Sequence, residues 1–112
     1  MYNTDEAICF NMLEAINKIL DITKTISDLE EFKKNYIFFD ATMMNFIVIG
    51  EMAGKLSEDF KNNHNDIEWR KVIAFRNIIA HDYFGIDDKE VWQIIQKKLP
   101  ELKSKAEKIL NI

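Results

Sequence analysis

Arg70-Lys71-Val72-Ile73-Ala74-Phe75-Arg76-Asn77-Ile78-Ile79-Ala80-His81 repeats with the period of an amphipathic helix. Each helical residue advances by about 100° around the axis. With Arg76 at zero, Val72, Phe75 and Ile79 cluster near 300° and are set to face a core. Arg70, Ala74, Asn77 and His81 form a separate stripe, spaced four, three and four residues apart. A polar stripe so cleanly divided from an apolar one is a surface presented to something, and Ala74 in its middle leaves room for a ligand or a facing helix. The pattern predicts a helix from about Glu68 to His81 or slightly beyond, ending before Gly85, a natural stop.

The flanking sequence is helical on the same grounds. Ile8, Met12, Ile16, Ile19, Leu20 and Thr23 recur three to four apart, predicting a first helix over Asn3–Thr23 with Thr4 or Asn3 as its cap. Ser27-Asp28-Leu29-Glu30 reads as a capping box opening a short second helix that ends near Asn35. A long third helix is predicted over Phe39–Lys61. Its centre, Met43 to Gly54, is apolar nearly all round, so it needs cover on more than one side. A partner chain is one source of that cover, and Gly50 and Gly54 would let another helix come close. Asn62-Asn63-His64-Asn65-Asp66 is a polar break, with His64 expected at the surface. Asp87 or Asp88 caps a further helix through Lys98, and Pro100 opens the last one after a kink at Leu99. The expected fold is a single all-α domain over residues 1–112, a bundle of five to six helices.

Bulk properties agree. Three glycines and one proline in 112 residues disfavour turn-rich β architectures. Cys9 has no intrachain partner and falls on an apolar stripe, so a buried thiol is expected. The amino terminus carries Asp5 and Glu6 with no basic leader, and no apolar run approaches the ~20 residues of a membrane span. The expected compartment is the cytoplasm, with no membrane partner. The net charge of −4 argues against broad, sequence-independent nucleic-acid binding. Charge is uneven, however: residues 1–35 carry seven acids and four lysines, residues 96–112 five lysines and two glutamates. Those lysines are either a local basic surface or a solvated helix face.

Arg76, His81 and Tyr83 put a fixed cation, a titratable base and a phenol on two turns of predicted helix. Arginine suits phosphate geometry and stays charged; histidine both takes and gives protons near neutrality. This is minimal equipment for metal-free phosphodiester cleavage. The same residues have a plainer reading, a structural His–Arg pair and a core aromatic with a satisfied hydroxyl. Glu51, an acid inside the apolar run, either pairs with Arg76 or Arg70 or faces solvent at the helix edge. Two histidines and one cysteine offer no ligand cluster with metal spacing, so no metal and no cofactor are expected.

Ile49-Gly50-Glu51-Met52-Ala53-Gly54-Lys55-Leu56-Ser57, then Trp69-Arg70, then Phe75 to Asp87, continuing through Val91-Trp92 and Leu99-Pro100, resemble the HepT-like family of the HEPN superfamily. The match runs in register over about residues 40–100, and the amino-terminal third agrees only in being helical. Arg-x4-His alone is a weak signal. The Arg-Asn start, the His-x-Tyr end and the flanking blocks make it specific. Gly54 departs from the pattern, where the family commonly has alanine or another good helix former.

The resemblance implies a homodimer with the Arg-x4-His motifs of two chains facing one cleft, and metal-independent cleavage of RNA. It implies the toxin half of a toxin–antitoxin pair of the type VII kind, silenced by an MNT-type nucleotidyltransferase antitoxin that adenylylates the motif tyrosine, here Tyr83. In that scheme His81 moves protons, Arg76 stabilises charge on phosphorus, and Asn77 fixes His81 or holds a substrate oxygen. Arg70 and Glu51 bind substrate or orient the others. A rival expectation is a non-catalytic nucleotide-binding or docking module for the nucleotidyltransferase. A purely structural helical dimer leaves the polar stripe unexplained.

Overall fold

A computed structural model describes residues 4–112; the expected cap at Asn3 lies outside them. The described residues form helices joined by short connections, with no strand among them. α1 spans Thr4–Thr23, α2 Leu29–Lys34, α3 Tyr36–Lys55, α4 Glu58–Asn63 and α5 Trp69–His81. A 3₁₀ turn, Tyr83–Gly85, follows α5. Then come α6 (Asp88–Gln93), a π-helical turn (Ile94–Lys98) and α7 (Leu99–Leu110).

α3 is the central element, packed most extensively against α1 and α5. Its buried apolar residues Met43, Phe46, Ile49 and Ala53 share one core with Cys9, Met12, Ile16 and Ile19 of α1. Burial pushes the Cys9 thiol up to about 11. An 18-residue window at mean hydropathy 1.3 makes the 20-residue α3, by length and composition alone, long and apolar enough to cross a membrane, where no run was expected to qualify. Here those residues serve as the bundle's inner helix. At the other end Phe32, fully buried, lies 5.3 Å from the ring of Phe39 and 5.2 Å from that of Trp92, tying α2 and α6 to the start of α3.

Several predicted boundaries move. Asn35 closes α2 and, by accepting a hydrogen bond from the Phe38 amide, also caps α3, so that helix starts at Tyr36 rather than Phe39. It ends at Lys55 rather than Lys61. Leu56 turns extended, at ψ 144°, and Ser57 caps α4 through the Phe60 amide. Asp5 of α1 accepts hydrogen bonds from both the Ser57 amide (2.9 Å) and its hydroxyl (2.7 Å), pinning the break. Those two bonds hold the Asp5 carboxyl below its usual range. The capping box of α2 is displaced by one residue: Asp28 caps the Glu31 amide, and Glu31 reaches back to the Ser27 amide and hydroxyl.

At the expected kink, Leu99 is itself helical at φ −65° and ψ −43°, and the irregularity is the π turn that precedes it. Pro100 lacks an amide proton, and its ring crowds the carbonyl four residues back. The π turn just before it absorbs the misfit by widening the helix, so α6, the turn and α7 follow one another without leaving the helical conformation.

Candidate active site

Gly50 decides how Arg76 is placed. A Cβ there would overlap Arg76 Cβ and come within 2.8 Å of Arg76 Cγ and 3.3 Å of the Val72 carbonyl. Without that atom, α5 lies against α3 and the arginine stem crosses directly over Gly50. The expected close helix approach is therefore real, but the approaching helix belongs to the same chain. Gly54 has nothing within 4 Å of its absent Cβ.

From that crossing the Arg76 guanidinium reaches Glu51 on α3. Its Nε (3.1 Å) and Nη2 (2.6 Å) both donate to Glu51 Oε1, and its Nη1 donates to Asn77 Oδ1 at 3.1 Å. Of the alternatives for Glu51, pairing with Arg76 is what the fold provides; Arg70 is exposed and forms no ion pair with it among the described residues. Guanidinium carries five N–H donors. Three are used among the described residues, which leaves one on each terminal nitrogen to meet an anion. Arg76 remains about one-third exposed, so those donors are accessible to a ligand.

Asn77 thus spends its carbonyl on Arg76 rather than on His81; of its two expected roles, fixing the imidazole or holding a substrate oxygen, its amide NH2 suits the second. His81, on the last turn of α5, is exposed and makes no hydrogen bond or ion pair among the described residues. Five residues on, it diverges from Arg76 by about 140° around the helix axis. Within one chain the two groups flank Asn77 from opposite sides. Arg70, Ala74, Asn77 and His81 are all exposed, as the stripe predicts. Val72 and Phe75 are half-buried and Ile79 fully so, and Phe75 meets Phe46 edge-on at 5.1 Å. Ala74 borders a cavity of about 400 Å³ with Phe46, Ile78 and Ile94 on its walls. His64 is half-buried with its ring 4.6 Å from that of Phe60, not a plain surface residue.

Tyr83 departs most from expectation. Helix α5 stops at His81, so Tyr83 sits in the 3₁₀ turn and shares no helix face with Arg76. Its ring stands edge-on to Phe39, and its hydroxyl donates a hydrogen bond to Asp40 near the start of α3. Burial, then the Asp40 carboxylate, hold the phenol well above its ordinary value of 10.0. Asp40 and Glu51 are eleven residues apart on α3, about 16 Å along the axis. The phenol and the Arg76 guanidinium are therefore tied to α3 at separate places. Asp40 was not singled out in the sequence, where an exposed helical acid looks like any solvated carboxylate; its only signal was its position four before Met44 on the exposed face.

The family model for HepT-like ribonucleases matches residues 12–109, nearly the whole chain, and the chain belongs to that family. It is 31% identical to "Putative RNase MJ1380" of Methanocaldococcus jannaschii, over 91% of this chain and 93% of that one. It is 33% identical to "Probable ribonuclease HepT" of Thermococcus cleftensis, over 80% and 89%, and 28% identical to "Putative RNase TTE0752" of Caldanaerobacter subterraneus, over 90% and 89%. No solved structure matches the chain.

Proposed function

We propose that the protein is a metal-independent endoribonuclease, the toxin of a toxin–antitoxin pair, acting as a homodimer. The observation that carries this reading is the tethered guanidinium. Glu51 and Asn77 fix Arg76 while leaving two donors open, on the helix that also presents an unencumbered His81. Family membership supports the substrate class, RNA.

Cleavage without metal uses the ribose 2′-hydroxyl as nucleophile. One group takes its proton, another protonates the departing 5′-oxygen, and a third stabilises the charge growing on phosphorus. Arg76 suits the last role, with two pre-aimed N–H groups that need not be reorganised during the reaction. His81 suits proton transfer. One chain has a single such imidazole, so separate acid and base require a second His81, and a two-fold partner supplies it. The apolar residues Ile37 and Met44, 62% and 60% exposed on α3, lie on the same helix as Glu51 and give that pairing a surface.

The nucleotidyltransferase antitoxin is proposed to act on Tyr83, whose half-buried phenol opens a turn with the fully exposed Phe84 beside it. Glu51 cancels the charge of Arg76, and this, with the net charge of −4, favours a second reading as a nucleotide-binding docking module. Incubating the protein with labelled tRNA and mRNA in EDTA separates the two. Discrete fragments that vanish with His81→Ala support the nuclease; nucleotide binding without cleavage supports the module.

A further inference from the structure

We infer that the Tyr83–Asp40 hydrogen bond is an electrostatic latch holding the turn after α5 against α3, and that a phosphoryl or nucleotidyl ester on Tyr83 throws it open. Its place in regulation rests on the reading above that Tyr83 is the modified residue.

The turn has few ties to the bundle: Tyr83 within it and Ile86 just after it are the half-buried side chains packed against the core. Gly85 donates to the Asp82 carbonyl at 3.1 Å and Ile86 to the Tyr83 carbonyl at 3.4 Å, both within the turn itself. Phe84 is fully exposed and anchors nothing. The Asp82 carboxylate fills the space where a side chain on Gly85 would sit, which shapes the turn without tying it to the bundle. What reaches across to α3 is Tyr83: its ring on Phe39 and its hydroxyl on Asp40.

Esterification changes the second contact from donor–acceptor to anion–anion. The phenol oxygen bonds to the α-phosphorus of a nucleoside triphosphate, the bond from that phosphorus to pyrophosphate breaks, and the phenolic proton passes to solvent. The oxygen that donated to Asp40 then has no proton. It carries instead a phosphate with at least one negative charge, in contact with a carboxylate, and like charges so placed repel. The turn leaves α3 and takes with it the end of α5, where the Asp82 amide closes the helix on the Ile78 carbonyl at 2.9 Å. His81 is the residue before that closure. Silencing then follows from displacement of the imidazole, with no need for the ester to reach Arg76, whose own tie to α3 at Glu51 is about 16 Å along the axis from Asp40.

The test installs phosphotyrosine at position 83 by amber suppression, alone and together with Asp40→Asn, in the full chain. Amide hydrogen exchange at Asp82, Gly85 and Ile86 is compared with the unmodified protein. The latch predicts exchange about tenfold faster with phosphotyrosine alone and restored to within about threefold of wild type once Asp40 is neutralised. RNA cleavage should follow the same order. Unchanged exchange in the phosphotyrosine protein overturns the inference. So does fast exchange that Asp40→Asn fails to slow, since bulk and not charge would then be responsible. If mass spectrometry after incubation with the antitoxin and ATP finds no AMP on Tyr83, the regulatory reading fails separately while the exchange result stands.

Discussion

Glu51 and Arg76 show how much a single carboxylate decides at the residue scale. The pair is one-third to two-fifths exposed, so its contribution to stability is about 0.5–1 kcal/mol at most. Its effect on chemistry is larger, because Oε1 holds two of the guanidinium donors. Glu51→Gln should bind RNA more tightly, through the cation it no longer cancels, yet turn over about tenfold more slowly as Arg76 loses its aim. Steady-state kinetics would show KM and kcat falling together; a rise in KM alone would contradict this role. Tyr83 makes a prediction in pH. Its folded phenol titrates above its ordinary value of 10.0, so the protonated form is favoured by folding. That stability is complete below pH ~10 and drains away as pH rises through the higher folded value. Urea melts from pH 9 to 11.5 should show Tyr83→Phe losing less stability over this range than wild type. Parallel losses would mean that the Asp40 contact does not hold in solution.

Elements were legible where periodicity spoke and obscure where a single cap decided. The α5 stripe of Arg70, Ala74, Asn77 and His81 was readable from spacing because a 3.6-residue period needs no tertiary information. The end of α3 was not, because the apolar pattern continues past Lys55. Ser57 followed by Glu58 and Asp59 is a helix-start signal in the sequence, and Asp5, 52 residues away, secures it. No local pattern reports such a contact. Likewise Asp40 meets Tyr83 across 43 residues, out of reach of any motif. Gly50 and Gly54 looked alike in sequence and differ in the fold. Gly50→Ala must push α5 off α3, at a cost of about 1–3 kcal/mol, and displaces Arg76 with it. Gly54→Ala meets open space and should stabilise the isolated chain by about 0.5–1 kcal/mol. Urea denaturation of both variants gives opposite signs if the helix crossing is as described, and equal signs if it is not.

The whole molecule is a bundle whose inner helix leaves part of its apolar surface uncovered. Ile37 and Met44 lie seven residues apart, two turns along one face of α3. The sequence indicated that α3 needed cover on more than one side; α1 and α5 supply two, and the remaining strip is where the proposed two-fold partner fits. Met44→Lys should convert a dimer to a monomer in sedimentation velocity and abolish cleavage while leaving helicity unchanged. An active monomer would remove the composite site. The central claim, that Arg76 and His81 of α5 cut RNA, is tested most directly by single-turnover cleavage of end-labelled RNA in excess EDTA, with wild type beside His81→Ala and Arg76→Ala. The account predicts defined fragments from wild type and rates reduced at least about a hundredfold in both variants. Cleavage by His81→Ala at the wild-type rate would contradict it.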